Sequence, residues 1–571
     1  MSGRLTCSAL VCGAFAAVSV AAPEPTSPLP KDLPSSGSLL QNNPILNAPM
    51  TPRSDSDMSL GGGRAHAEDD ATAGEAFHVA RIEVDDVPEA LRAAVDAAVA
   101  PYRDQQMSLG MVRNVAVKVT MALQDGGERL SYAYVPNQDI VDGVVHLKVL
   151  RGHIESASLG KNTSLVMDKV LKSYLAKGVS PTGDVPTAES QLLRLADLPG
   201  VGGTTPVLAA GQEPGGSALT VDVAPGERIE GLLVMDNNGS KTSGKLRMGT
   251  QLTLNSPLGM GDRFQAVLYE APEVIQTNHD SDGGGHTWIG RLSYDLPMGA
   301  DGGRAGFAYS QVGYQLGGET YRRYGFEGFA KVWSLYGSYP LIRTATRNLS
   351  LSANLDYKQM FDSSLSDDLR SASMATLQLS GDVQGQIAGL PNVLQYQFSI
   401  SGGDFTNTPG DWSRTNGKFL KTTQSVKLSQ GLMPGLYLDL PFSAQQASRN
   451  LDGSEKMSLG GPSGVRAFNG DVASVDTGWL FTPTVNWSVP WVDGLTAQLF
   501  YDYGRGTTQK TSNQYENIFA LGGYGAGLSY ALPGRAVFSA SYARRDIAKL
   551  SKATVDAMHQ DMFWGNIAVR Y

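Results

Sequence analysis

The residue types that carry chemistry are sparse and badly spaced for catalysis. The seven histidines, His66, His78, His146, His153, His279, His286 and His559, include no H-E-x-x-H pair that would hold zinc on one helix face. His279 and His286 flank Asp280-Ser281-Asp282-Gly283-Gly284-Gly285, a run that suggests a metal loop, yet its spacing matches no Ca²⁺ loop. Gly461-Pro462-Ser463-Gly464 is followed by Val465, so it lacks the last glycine of a nucleophile elbow. No glycine-rich loop ends in Lys-Ser or Lys-Thr. The expectation is a protein that is not an enzyme, with no catalytic residue, no cofactor and no metal. What remains is one acid in an apolar setting, Asp502, and one arginine on a glycine-rich loop, Arg466.

The element that must carry Asp502 is a strand. Successive side chains of a strand point to opposite faces, so Leu499, Tyr501 and Tyr503 form one face and Phe500, Asp502 and Gly504 the other. The same period of two runs from Arg228 onward. Leu349, Leu351, Ala353, Leu355 and Tyr357 alternate with Ser350, Ser352, Asn354, Asp356 and Lys358, and Leu394, Tyr396, Phe398 and Ile400 alternate with Gln395, Gln397, Ser399 and Ser401. A soluble sandwich or propeller gives the same alternation in any one strand. The 563–571 stretch distinguishes them: Phe563, Gly565, Ile567, Val569 and Tyr571 share a face, and an amphipathic strand ending on an aromatic residue is the finish of a bacterial outer-membrane barrel. With lipid outside and a polar lumen inside, residues 227–571 accommodate roughly 16 strands and satisfy every backbone group once the sheet closes.

Composition bounds the rest. The chain has 571 residues, 46 Lys+Arg against 55 Asp+Glu and a formal charge of −9, which exceeds one compact core and excludes a basic, nucleic-acid-gripping surface. Its two cysteines, Cys7 and Cys12, fall inside residues 1–22, where a basic start, a short apolar run and the exit Ser19-Val20-Ala21-Ala22 read as a secretory signal peptide. A membrane anchor or a lipid-modified Cys12 fits less well, because the run is short and Val11 precedes the cysteine. Residues 23–75 hold many prolines and the Gly61-Gly62-Gly63 run and read as an extension, a linker or plug, in which only 38–50 has enough Leu and Ile to dock. Two α+β modules follow, 76–152 and 153–226, each with the order β-α-α-β-β. In the first, Leu91, Val95, Val99 and Tyr102 mark one helix face, and Val112, Ala116, Val119 and Leu123 mark another behind the N-cap candidate Ser108. In the second, a helix is read over 190–198, behind Thr187.

Several motifs in this order resemble the TpsB transporters of two-partner secretion, the ShlB/FhaC/HecB type. Val135-Pro136-Asn137-Gln138-Asp139 is similar to their V-P-x-Q-D, Gly152-His153-Ile154 to a G-x-I junction, and Leu198-Pro199-Gly200 to the L-P-G turn of a second POTRA domain. Asp236-Asn237-Asn238-Gly239 and Asn255-Ser256-Pro257-Leu258-Gly259-Met260-Gly261-Asp262 are similar to D-N-x-G and N-P-L-G-x-G-D at the barrel entrance. Gly464-Val465-Arg466-Ala467-Phe468 resembles the V-R-G-[FY] tip of a loop folded into the barrel, and Phe500-Tyr501-Asp502-Tyr503-Gly504 the F-x-D-x-G strand that receives it.

The resemblance implies a mainly β fold, a transmembrane antiparallel barrel behind two POTRA domains in the periplasm, and passive export of an unfolded partner, a large β-helical adhesin, haemolysin or exoprotein. It implies client binding on POTRA edge strands, and recognition of the last strand, ending at Tyr571, by the barrel assembly machinery in a bilayer of outer-membrane lipid. It also implies a lid-loop lock in which Arg466 meets Asp502, with Val465, Phe468, Phe500 and Gly504 around them. From the residues alone, Arg466 as an exposed loop arginine and Asp502 as a water-facing carboxylate remain open. Ala467 stands where the family has glycine, a residue that positive φ would strain. A barrel-assembly factor of the BamA type, which usually has three or more POTRA repeats, and a passive porin or adhesin barrel are the alternatives.

Overall fold

The computed structural model describes Ser35, Ser36, Leu39 and residues 76–571 apart from 180–182, 241, 273–283, 364–366, 409–413, 512–516 and 551–558. The signal-peptide reading of 1–22, most of the 23–75 extension and most of the His279 loop therefore lie outside the described residues. One compact unit ends at Gly226 and the barrel unit begins at Glu227.

The first α+β module builds a three-stranded sheet in the order Arg81–Asp85, Val144–Leu150, Tyr132–Tyr134, with the first pair parallel and the second antiparallel. Helices Arg92–Val99 and Leu109–Asp125 cover one face. Val95, Val112, Val119, Leu123 and Leu147 meet there with almost no solvent exposure, which is why the apolar positions recur every three to four residues in the helices and every two in the strands. Ser108 caps the longer helix, its hydroxyl accepting from the Met111 N–H at 3.2 Å. Gln138 has a different task. Its carboxamide donates to the His146 carbonyl (2.7 Å) and accepts from the His146 N–H (2.8 Å), so a side chain fills a backbone pairing site beside the short strand Tyr132–Tyr134.

The second module repeats the plan with sheet order His153–Asn162, Gly216–Pro225, Val201–Ala210. Its helices are Asp168–Gly178 and Val185–Ala196. The latter starts earlier than the reading from 190. Asp184 is the N-cap, accepting from the N–H of Thr187 at 3.1 Å, and Pro186 sits in the first turn where a missing N–H costs nothing.

From Ile229–Asp236 to Asp561–Arg570, sixteen antiparallel strands close into a barrel, the twelfth being interrupted between Thr477–Phe481 and Thr484–Ser488. Closure comes from the last strand pairing with the first, Asn566 opposite Asp236 through Arg570 opposite Leu232. Near this seam the strands have eight to ten residues; the seventh to tenth, Arg347–Ser363, Asp368–Ile387, Leu390–Thr408 and Gly417–Met433, have 17 to 20. About ten residues span a bilayer in a tilted strand, so these four project beyond it. Outward positions are apolar and open, as at Leu335, Leu355, Phe398 and Leu499. No described helix is long and apolar enough to cross a membrane.

Candidate functional site: the loop in the lumen

Between the strand Leu436–Ala447 and the twelfth strand, residues 448–476 fold back inside the barrel. The tip is a compact turn. Gly461 takes positive φ (93°), its N–H donates to the Phe468 carbonyl (2.9 Å), and the Val465 and Phe468 N–H groups bond to Leu459 and Val465 carbonyls at 2.8 and 3.0 Å. Val465 and Phe468 are buried with Leu459, Leu480, Phe500 and Leu521.

Alternation along Leu495–Thr507 sends Leu499 outward, 65% exposed, and Asp502 inward with no exposure at all. Arg466 grips that carboxylate with two forks and its own backbone: Nε to Oδ2 at 2.8 Å, Nη2 to Oδ1 at 2.7 Å, and the Arg466 N–H to Oδ2 at 2.9 Å. A bidentate guanidinium–carboxylate pair is the strong form of such a contact. Nη2 also donates to the Thr484 hydroxyl (3.1 Å), the guanidinium lies 3.4 Å from the Phe500 ring centroid, and Trp564 Nε1 donates to the Arg466 carbonyl at 2.7 Å. Strands twelve, thirteen and sixteen thus hold one loop residue. Gly504 lies beneath Val465, where a Cβ would meet Leu480 at 2.5 Å and Val465 at 3.4 Å. Ala467 is not among the described residues at positive φ; its methyl faces Gly523, so alanine is accommodated without backbone strain.

A second set of contacts, not anticipated from the sequence, fixes the loop's stem. Glu455 is buried and accepts from Lys358 on the seventh strand and from Lys421 on the tenth (2.6 Å to Oε2). Burial alone would raise the Glu455 carboxyl, but the two ammonium groups outweigh it and bring it down to about 2. Asp452 accepts from Arg370 on the eighth strand at 2.6 Å. The same arginine pairs with Asp362 and reaches the Ser36 hydroxyl (3.4 Å), while the Ser36 N–H and hydroxyl donate to Asp362 at 2.9 and 3.1 Å. Leu39 packs against Met360, Phe405 and their neighbours and against Tyr314, Leu316 and Phe326. Part of the 23–75 segment therefore contacts the barrel interior. The available signal was parity: Lys358 and Arg370 are the cations at inward positions of strands whose other inward charges, Asp356 and Asp362 on one and Asp368 and Asp382 on the other, are acidic.

A closed sixteen-stranded barrel with alternating faces, preceded by α+β modules and holding a latched inner loop, defines an outer-membrane transporter with periplasmic POTRA domains. The comparisons with known proteins agree. The family described as haemolysin secretion/activation protein ShlB/FhaC/HecB matches residues 215–530, more than half of the chain, and the chain belongs to that family. A ShlB-type POTRA domain matches residues 77–152. Among curated relatives, the heme/hemopexin transporter protein HuxB of Haemophilus influenzae strain 86-028NP is 24% identical over 488 residues, 81% of each chain. The outer membrane transporter CdiB of Escherichia coli is 23% identical over 484 residues, 80% of this chain and 77% of the relative. Two solved structures share the fold: CdiB from Escherichia coli (TM-score 0.64, 20% identity, 88% of this chain and 92% of the other) and CdiB from Acinetobacter baumannii (TM-score 0.58, 16% identity, 92% and 95%). The protein is a two-partner secretion transporter of the outer membrane, and its relatives are transporters rather than enzymes.

Proposed function

We propose that the chain captures an unfolded exported partner with its POTRA modules and passes it through the barrel without ATP. Capture uses strand addition: the sheet of the second module ends in Val201–Ala210 on one side and His153–Asn162 on the other, and an edge offers main-chain donors and acceptors that accept many sequences. Folding of the client outside the cell withdraws exported segments from the pore and supplies direction. The partner class is a large exported β-helical adhesin, haemolysin or exoprotein. At rest the loop carrying Arg466 narrows the lumen, and it yields when a client arrives.

The observation that carries this reading is the loop latched inside a barrel that is continuous in sequence with strand-edge modules. The test is secretion of a candidate partner, a large exported β-helical protein if one is encoded beside this reading frame, co-expressed with the full chain or with a variant lacking residues 77–152. The variant is expected to leave a folded, heat-modifiable barrel and to lose secretion. Secretion that persists removes the POTRA modules from the mechanism.

A further inference from the structure

Four neighbouring strands of the lumen wall, the seventh to tenth, carry a continuous field of hydroxyl and amide side chains. Pairing places Ser352, Gln378, Ser399 and Thr423 side by side in one row across the strands. One step nearer the rim at which the chain enters the barrel, Ser350, Ser380, Gln397 and Ser425 form the next row. One step farther, Asn354, Thr376 and Ser401 continue it until Lys421, which is held by Glu455. The outward neighbours on these strands are Leu351, Leu355, Leu377, Phe398 and Ile400, so the alternation assigns the polar residues to the lumen.

The field is bounded by charge and is itself without charge. Beyond one end stand Asp356, which accepts from Asn354 at 2.6 Å, and Lys358, Glu455 and Lys421; beyond the other, Asp382 accepts from Asn348 and Lys427 pairs with Asp439 at 3.2 Å. The inner loop's tip lies on strands twelve to fourteen, burying Phe500, Asp502 and Leu521, whereas most of the field stays half-buried. Each of its side chains donates and accepts hydrogen bonds, and two pairs already do so across strands, Thr376 with Ser401 (2.8 Å) and Ser399 with Thr423.

We infer that this wall is the surface along which an extended, unfolded polypeptide slides, a reading that rests on the transport function proposed above. An unfolded chain in a narrow lumen must satisfy its N–H and C=O groups at every step. Hydroxyls and amides satisfy either kind, whatever the client's sequence. Fixed charges would arrest segments of opposite sign, and apolar surface would retain hydrophobic ones; the field has neither. Its rows recur every two residues, about 6.7 Å, which is also the repeat of an extended client along one face.

The test uses the full chain with Cys7→Ser and Cys12→Ser, so that an added cysteine is the sole thiol. Gln378→Cys and Ser399→Cys report on the field; Gln251→Cys and Gln265→Cys report on polar lumen positions of the second and third strands. The probe is a long unfolded peptide of Gly, Ser, Asn and Thr with a terminal cysteine at one end and a streptavidin stop at the other. It is added on the POTRA side of proteoliposomes with copper phenanthroline and air as the oxidant that takes up the two electrons, and disulfide yield is read on non-reducing gels. Yields at 378 and 399 are expected to exceed those at 251 and 265 about tenfold, the advantage of a thiol held in the path. Ser350→Cys and Ser425→Cys should follow the first pair. Equal yields on both walls, or a preference for 251 and 265, overturn the sliding surface while leaving transport intact. No cross-link at any position instead removes the transport reading, and the sliding surface with it.

Discussion

Arg466 is held by four separate groups, and its chemistry decides what happens when one is lost. Replacing one partner of a buried pair strands the other charge, at a cost of about 3–5 kcal/mol, much of it desolvation. Asp502→Ala leaves a guanidinium among Phe500, Thr484 and Trp564 with no anion, so the loop should leave its seat; Asp502→Asn keeps one acceptor oxygen, which can take the bonds now made to Oδ2 by the Arg466 Nε and N–H, and should release it less. Single-channel recording in planar bilayers is expected to show more frequent and larger openings in the order Asp502→Ala, Asp502→Asn, parent, with Arg466→Ala close to Asp502→Ala. Unchanged conductance in both alanine variants would end the latch as a closing device. At this scale parity made Asp502 legible as an inward carboxylate, and the loop motif singled out Arg466. Their pairing was implied by resemblance, because no spacing links residues 36 positions apart. Trp564 was beyond reach: it reads as an inward aromatic, but its partner is the backbone carbonyl of a loop tip 98 residues upstream.

Elements were legible where period and cap agree, and illegible where a side chain substitutes for backbone. Ser108 and the 3.6-residue repeat behind it yield the helix Leu109–Asp125 almost as read. Asp184-Val185-Pro186-Thr187 misled because Thr187 is itself a good cap residue. In the fold its hydroxyl instead donates to Asp184, and the helix begins at Val185. Gln138 looked like a motif letter and is a one-residue strand edge. The inner loop's dependence on strand glycines was likewise hidden, since glycine in a strand reads first as a weakness. At Gly523 a Cβ would lie 2.4 Å from the Ala467 methyl, and at Gly525 it would lie 2.6 Å from Phe500. Gly523→Val should therefore lift the loop tip by steric overlap alone, with Arg466 and Asp502 unchanged in type. Its openings in bilayers should approach those of Arg466→Ala, and its heat-modifiable mobility should match the parent. A closed channel in Gly523→Val would mean that the tip is not seated against the fourteenth strand, Ile518–Leu532.

For the whole molecule, residues 227–571, with about ten residues per spanning strand and turns between them, accommodate roughly sixteen strands, and sixteen close the barrel. Their uneven lengths were not legible, because period two continues unchanged where a strand leaves the bilayer. What occupies the barrel interior was legible in part: the inner loop has a motif and Leu39 falls in the 38–50 stretch whose Leu and Ile allow docking, while Ser36 sits in a proline-rich stretch with no helical repeat to mark it. Both meet at the eighth strand. Arg370 binds Asp452 of the loop stem and Asp362, and it reaches Ser36, so loop and extension share one cation. Groups within one such network do not contribute independently; coupling of about 0.5–3 kcal/mol is usual. Removing residues 23–75, replacing Arg466 by Ala, and combining the two should give open probabilities whose logarithms do not add. The deletion leaves Asp362 and Arg370 without the Ser36 bonds, which frees Arg370 to hold Asp452 more firmly and opposes the loop's departure. The combined variant should then open less than the product of the single effects, and adding Asp452→Ala should restore additivity. Strict additivity with Asp452 in place would mean that the two closures act separately and that Arg370 merely ties the wall.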